Sequence, residues 1–394
     1  LPPLDDTDKK KEGKDNEEKE EYYTTYKEEE GGVRDYTKDS HEEEEDDDDD
    51  EYDAPPPPYP HSPIPPSSKY LEDKYHVIVT TDNTVYAQWM IQVVYYHYQK
   101  LKVADPDGPM GGFTRILHSN TTDSLMDIIP TVRVDELDPS VFVDMGYYYA
   151  PLNRPWAYVQ WVKRHMHKVP ERYILMAEPD HLFLSQPPLL AAPDKPMGYK
   201  FHYMQPQSFP ELFVNSPRFN PTNTPLEAFM PVGNSPSIMT REDLASIAAP
   251  WYKYTKMMMK YENSRAAFGW VVEMYGFVAA AATRPQGPLK FDLIENFMCQ
   301  PPVEVLHLDA LGKPVEHMIH FTYRVFEGPR GVCVPEESLK VAGNNTWSFD
   351  KRTYSKMYPP RNIPLPPANC DVGVRTIIEM INEASAALPD WGKR

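Results

Sequence analysis

Two carboxylates, Glu178 and Asp180, stand two residues apart at the end of the apolar run Arg172–Ala177. In extended backbone, residues i and i+2 project to the same side, and Pro179 between them restricts the chain. Paired hard oxygen ligands at a strand end suit Mg²⁺ or Mn²⁺, which can hold a diphosphate and neutralise its charge as it leaves. The same triplet also occurs where a strand simply ends in solvent. His320 lies in the short run His317–Tyr323. If that run is a strand, His317 and His320 face opposite ways, which disfavours a two-histidine zinc site and leaves His320 as a candidate to complete a metal shell. A core histidine with a satisfied hydrogen bond is the competing role.

Glu273 interrupts the apolar stretch Gly269–Gly276. A buried carboxylate costs several kcal/mol unless it is paired or hydrogen-bonded, so Glu273 is a candidate for acting on an acceptor hydroxyl or a positive sugar centre. A structural bond to a neighbouring helix end would serve equally. Arg115, and Asn153 with Arg154 at a helix start, offer donors for phosphates and sugar, with Arg154 the better placed. Pro155 in a first turn favours a clean helix start whose free amides add to an anion site.

These residues need elements to position them. Tyr75–Thr81 reads as a buried strand and Thr84–Val103 as its covering helix, with Val85, Trp89, Val93 and Tyr96 at helical spacing. Phe113–His118, Thr131–Val134 and Arg172–Ala177 read as further strands, and Trp156–Lys168 as a helix. Such alternation predicts an α/β fold with a largely parallel sheet covered on both faces. Ligands in such sheets sit beyond the carboxyl ends of the strands. That rule singles out Thr80, Thr81 and Asp82, then His118 and Ser119, then Glu178–Asp180. Later segments predict helices over 237–250, 266–282 and 374–388 and strands over 301–308 and 318–323. The Pro- and Asn-rich stretch 206–236 is long for a connection and suits substrate-shaping loops.

Charge divides the chain unevenly. Residues 1–60 hold 8 Lys/Arg against 25 Asp/Glu, and the remainder holds 32 against 34. The acidic run Glu42–Glu51 and the prolines from Pro55 to Pro66 have no apolar face to bury, so residues 1–69 are expected to be a disordered, proline-stiffened stem. Residues 70–394 are expected to be one catalytic unit. No stretch reaches the roughly 18 apolar residues of a membrane helix. The chain starts at Leu1, and a stem of this kind is what would separate a membrane anchor from a lumenal enzyme. Basic residues form no run, so nucleic-acid binding has no support. Cys299, Cys333 and Cys370 lack the spacing of a zinc or redox site, and Cys333 with Cys370 is the expected pairing in the loop-rich C-terminal part. Asn120 and Asn344 begin glycosylation sequons, compatible with a lumenal address.

The segments 111–119 (GGFTRILHS), 153–161 (NRPWAYVQW) and 176–181 (MAEPDH) resemble the hydroxyproline O-arabinosyltransferases of plants and green algae. So do 231–236 (PVGNSP), 268–276 (FGWVVEMYG), 320–323 (HFTY), 349–352 (FDKR) and 359–362 (PPRN). The similarity runs in order from Tyr75 to Trp391; the acidic stem, Cys299 and Phe326–Lys340 fall outside it. The resemblance implies a Golgi enzyme of GT-A-like fold, with an N-terminal membrane segment, that transfers L-arabinofuranose from UDP-β-L-arabinofuranose to peptidyl 4-hydroxyproline with retention. It implies Glu178, Asp180 and His320 as the metal group for Mn²⁺ or Mg²⁺, and Thr80, Thr81, Arg115, Asn153, Arg154 and Asp180 as nucleotide contacts. Glu273 would be nucleophile or acceptor-orienting residue. The acceptor, in hydroxyproline-rich glycoproteins or secreted peptides, is a polyproline-like helix that docks on aromatic walls. Tyr147–Tyr149, Phe209 and Phe213 are candidates for such a wall, with ordinary packing the competing role for most of them. A peptidyl-serine galactosyltransferase shares the Gly-Trp-x-x-Glu-Met-Tyr-Gly pattern, although Glu178 in place of a first Asp favours arabinose. A non-catalytic binder of proline-rich glycoproteins is the alternative from another class.

Overall fold

Tyr75–Thr81 contains no exposed residue: all seven are buried, and Tyr75, Val77, Ile78 and Val79 are completely inaccessible. A strand buried along its whole length must be covered on both faces and lie inside a sheet. In the computed structural model, which describes residues 70–393 apart from 215, 323 and 336–346, this strand is β1, Leu71–Thr81. It lies between β2 (Met110–His118) and β4 (Glu171–Ala177), parallel to both. With β3 (Thr131–Val134), β6 (Met197–Lys200), β7 (Val232–Thr240) and β8 (Asp292–Leu293) it forms a seven-stranded sheet of order β3-β2-β1-β4-β7-β6-β8. Only the pairings of β7 with its two neighbours are antiparallel. The class is α/β with a mostly parallel sheet, as expected.

Helix α1, Val85–Ala104, begins where the Thr84 hydroxyl caps the amide of Ala87. It buries Trp89, Ile91, Val93 and Val94. Helix α2 is Pro139–Met145, and α3 is Asn153–Arg164 with Pro155 in its first turn. Chain progression from β1 runs outward through β2 and β3, then returns to place β4 on the other side of β1. The carboxyl ends of β1 and β4 therefore flank a topological switch point, where such sheets hold ligands. A second sheet pairs β5 (His181–Phe183), β10 (Met318–His320) and β9 (Met298–Cys299); β10 runs antiparallel to β5, with His320 opposite His181. A third joins β11 (Val325–Glu327), β12 (Cys333–Pro335) and β13 (Ser348–Phe349).

Several boundaries differ from expectation. Residues 237–240 end β7, paired with β4, and the helix begins only at Arg241, where the Thr240 hydroxyl accepts from the Asp243 amide. This helix, α4, continues through Pro250 to Lys260 because Leu244, Ile247, Trp251 and Met258 anchor both halves in the core. Their burial offsets the hydrogen bond that proline removes. The helix expected over 266–282 is two, α5 (Glu262–Phe268) and α6 (Val272–Ala282). They are broken at Gly269, whose φ of 52° and ψ of −130° suit glycine alone. Gly276 in α6 meets α4 so closely that a Cβ there would lie 2.2 Å from Thr255 Oγ1. Residues 301–308 form a turn and an irregular stretch rather than a strand, with a single bridge from Leu308 to Pro314, since Pro301 and Pro302 have no amide to donate to a ladder. The segment 318–323 is a strand only as far as His320, and Tyr323 lies outside the described residues.

The last helix, α7 (Val372–Ala387), packs on α1. Cys333 and Cys370 form the expected disulfide, and Cys299 is buried and free. No described helix is long and apolar enough to cross a membrane. The stem expected over 1–69 and the sequon at Asn344 lie outside the described residues.

Candidate active site

Beyond β4 the chain turns at once: the His181 amide donates to the Glu178 carbonyl, 3.1 Å away, and β5 follows. The extended geometry expected over 178–180 is therefore absent, and the two carboxylates have different surroundings. Glu178 Oε2 accepts from Arg154 Nη2 at 2.7 Å, and its Oε1 accepts from the Ser235 hydroxyl at 2.6 Å. Burial works against ionisation of Glu178, but Arg154 overcomes it and holds the carboxyl below its ordinary range.

Asp180 instead meets the second sheet. Its Oδ2 lies 3.2 Å from His320 Nε2 and 2.5 Å from Lys351 Nζ. Again burial opposes ionisation, and Lys351 with His320 outweighs it, so Asp180 stays charged. Because β5 pairs with β10, His181 and His320 stand side by side, ring centroids 4.5 Å apart. Ligand atoms of Asp180, His181 and His320 all lie within 4.8 Å of one another. Sequence reasoning proposed Glu178 for this group and passed over His181. The signal available was its position directly after Asp180, but only the strand pairing brings it to His320.

These three residues also leave polar atoms without partners. Asp180 Oδ1, His320 Nδ1 and both ring nitrogens of His181 are buried and make no hydrogen bond. Buried polar groups are normally satisfied, and a cluster of exceptions calls for an occupant. Burial, reinforced by His320, pushes His181 down to about 3, which keeps its imidazole neutral and able to ligate. One carboxylate and two imidazoles fit a divalent transition ion such as Mn²⁺ better than Mg²⁺, which prefers oxygen throughout.

Arg154 connects Glu178, two residues before Asp180, to Glu273, its Nη1 lying 3.0 Å from Glu273 Oε2. Glu273 is 2 % exposed, and its Oε1 has no partner. Its position at the start of α6 is fixed by backbone contacts. The Tyr149 hydroxyl accepts from the Glu273 amide and donates to the Trp270 carbonyl, and the Trp251 indole donates to the Glu273 carbonyl. Burial raises Glu273 to about 7, with Arg154 opposing and Glu178 adding to the rise.

The remaining candidates divide. Thr80 and Thr81 end β1, the strand next to β4, and are buried. Arg115 is fully buried and grips Asp123 with two nitrogens, at 2.9 and 2.5 Å, while its Nε donates to Thr81 Oγ1 at 2.7 Å. Asn153 accepts from the Leu137 amide and donates to the Ala150 carbonyl. Both side chains are committed to internal bonds and brace the strand ends. The aromatic wall is also revised. Phe213 and Tyr149 are sealed in the core, Phe209 packs on Phe268 and Tyr275, and the Arg265 guanidinium covers Tyr147. Trp270, 46 % accessible, and Tyr148, whose ring also packs on Phe142, are exposed here.

Residues 75–290 match the hydroxyproline O-arabinosyltransferase family N-terminal domain, and residues 317–392 match the C-terminal domain of the same family. The chain belongs to the hydroxyproline O-arabinosyltransferase family. Hydroxyproline O-arabinosyltransferase RDN1 of Medicago truncatula is 40% identical over 319 residues, 81% of this chain and 82% of the relative. Hydroxyproline O-arabinosyltransferase 3 of Arabidopsis thaliana is 39% identical over 318 residues, 80% of this chain and 82% of the relative. The family is one of glycosyltransferases. In this arabinosyltransferase-family chain the N-terminal match carries Arg154, Glu178, Asp180, His181 and Glu273, and the C-terminal match carries His320 and Lys351. The cluster is therefore complete only when the two matched parts come together.

Proposed function

We propose that this protein transfers L-arabinofuranose from UDP-β-L-arabinofuranose to peptidyl 4-hydroxyproline, with retention and with help from a divalent metal ion. The observation that carries this reading is the cluster of unpartnered Asp180, His181 and His320 atoms beside the Glu178–Arg154–Glu273 chain of ion pairs, at the switch point of a mostly parallel sheet that we read as GT-A-like. Charge supports the metal. Among the described residues, the carboxyls of Glu178, Asp180 and Glu273 pair with two cations, Arg154 and Lys351, so a bound metal ion would ease the approach of a diphosphate. A bound Mn²⁺ would be held by Asp180, His181 and His320 and would supply Lewis-acid stabilisation to the departing UDP.

The protein's own groups divide the remaining work. Arg154 fixes Glu178 and Glu273 relative to each other, and Thr80 and Thr81 at the end of β1 border the nucleotide. Glu273 Oε1 receives the proton of the acceptor hydroxyl, a role matched by a carboxyl raised to about 7. With Glu273 acting on the acceptor, retention follows from attack on the face that the diphosphate leaves. Trp270 and Tyr148 offer the exposed rings on which an extended, polyproline-like acceptor can stack. Residues 70–394 act as one catalytic unit, since the site takes ligands from both matched parts.

A Golgi-lumen address, with an N-terminal membrane anchor, is part of the same proposal. The Cys333–Cys370 disulfide supports it, because such bonds persist in oxidising compartments, as does the exposure of Asn120. The decisive experiment measures transfer from UDP-β-L-arabinofuranose to a short hydroxyproline peptide with Mn²⁺, comparing the parent with Asp180→Ala. Arabinosylation lost in the variant and with chelator is the expected result. Transfer of galactose from UDP-galactose to a serine peptide would overturn the substrate assignment, and tight peptide binding without any transfer would overturn the enzymatic one.

A further inference from the structure

Lys351 opens the short helical turn Lys351–Tyr354, immediately after β13, far from Asp180 in sequence. Its side chain is only 11 % exposed and ends on Asp180 Oδ2, the carboxylate oxygen also approached by His320. Its ammonium lies 5.7 Å from the centre of the Phe321 ring, next to His320. A protein cation thus contacts the only carboxylate of the candidate metal cluster, while Asp180 Oδ1, His320 Nδ1 and both His181 ring nitrogens stay unpartnered.

An ammonium on Oδ2 and a divalent ion on Oδ1 of the same buried carboxylate repel each other, so each weakens the hold of the other on Asp180. Lysine is suited to yielding, because its charge is a compact point on a flexible four-carbon stem. It also needs somewhere to go, and the diphosphate of the donor brings negative charge to this end of the sheet. We propose that Lys351 is a resident counter-cation that holds Asp180 in the metal-free protein, is displaced when the metal binds, and then pairs with the diphosphate of the nucleotide. This rests on the metal-dependent reading above. Metal and nucleotide binding become coupled through one side chain: metal alone binds weakly because it must displace Lys351, and nucleotide strengthens it by offering Lys351 a new partner. Lys351 is a positioning residue in this scheme, acting through Asp180 and the diphosphate.

Mn²⁺ titration followed by the electron paramagnetic resonance signal of the free ion tests this, without and with UDP, in the full chain, Lys351→Met and Asp180→Asn. In the parent, UDP should strengthen Mn²⁺ binding. Lys351→Met should bind Mn²⁺ alone about tenfold more tightly than the parent and lose most of the UDP-dependent gain. Lys351→Gln, which keeps a hydrogen-bonding group near Asp180, should change in the same direction and serves if the Met variant does not fold. Mn²⁺ affinity unchanged or weakened in both variants, with binding still abolished in Asp180→Asn, overturns the role of Lys351 and leaves the metal site standing. Binding that survives Asp180→Asn, or no binding in any of these proteins, removes the metal site and this inference together.

Discussion

Two groups of buried charges lie at the carboxyl end of the same sheet, and they differ in completeness. At the ends of β1 and β2, Arg115 is matched by both oxygens of Asp123, by Thr81 and by the Asp82 carbonyl. Beyond β4, Asp180, His181, His320 and Glu273 together leave five buried polar atoms without a partner. Burial does not separate them, since Arg115 is as inaccessible as His181. Satisfaction does. A buried charge with every bond made reports on the fold, whereas a buried cluster with open positions reports on something that binds.

The contrast breaks most directly under paired truncations. His181→Ala should reduce transfer by about three orders of magnitude, the scale of losing a principal electrostatic contributor at a reacting centre. Because the His181 ring makes no hydrogen bond within the chain, the variant loses only packing, and its melting temperature should fall less than that of a variant that strands a buried charge. Asp123→Ala should do the reverse, leaving Arg115 buried and uncompensated at a cost of about 3–5 kcal/mol. For a unit of this size that is roughly 5–7 °C in melting temperature, with activity per folded molecule much less affected. If Asp123→Ala abolished turnover at full stability, the division between bracing and working clusters would be wrong.

Glu273 sharpens the same comparison through pH. Its carboxyl is raised from 4.5 to about 7 in the folded chain, so between those values the folded state binds more protons than the unfolded state. Stability therefore falls as pH rises through that window, by up to about 3 kcal/mol, and is restored on acidification. Glu273→Gln should flatten this dependence in melting curves between pH 5 and 8 and remove the group proposed to receive the acceptor proton. A parent-like slope in the variant would assign the pH dependence elsewhere.

How much of this was legible beforehand follows the same division. The buried runs of β1, β2 and β4 and the spacing in α1 announced a parallel α/β sheet, because apolar periodicity is local information. The strand-end rule drew attention to Glu178–Asp180 for the same reason. What remained hidden depended on pairing between distant segments. His181 joins His320 only because β5 runs antiparallel to β10, and Lys351 reaches Asp180 from 171 residues away. Arg115 and Asn153 have the right chemistry for phosphate and sugar, yet neither type nor spacing revealed the partners that occupy them. Tyr149 and Phe213 fitted either a groove wall or ordinary packing by type, and burial assigns them to packing.

Trp270 tests the acceptor side, where the smallest effect is expected. Gly269, with its positive φ, turns the chain out of α5 and leaves the Trp270 ring on the surface three residues before Glu273. The carbonyl of the same residue is held by the Tyr149 hydroxyl, which also receives the Glu273 amide. One tyrosine thus sets both the exposed ring and the buried carboxylate, so a peptide stacked on Trp270 lies at a fixed offset from Glu273. Trp270→Ala keeps the backbone contact and removes only the ring. Stacking of this kind is worth on the order of 1 kcal/mol, so KM for a hydroxyproline peptide should rise about five- to tenfold with kcat nearly unchanged. Hydrolysis of the donor in the absence of peptide should be unaffected. An unchanged KM would move the acceptor to another face, and an equal loss of donor hydrolysis would mean that the ring supports the Tyr149–Glu273 connection rather than the peptide.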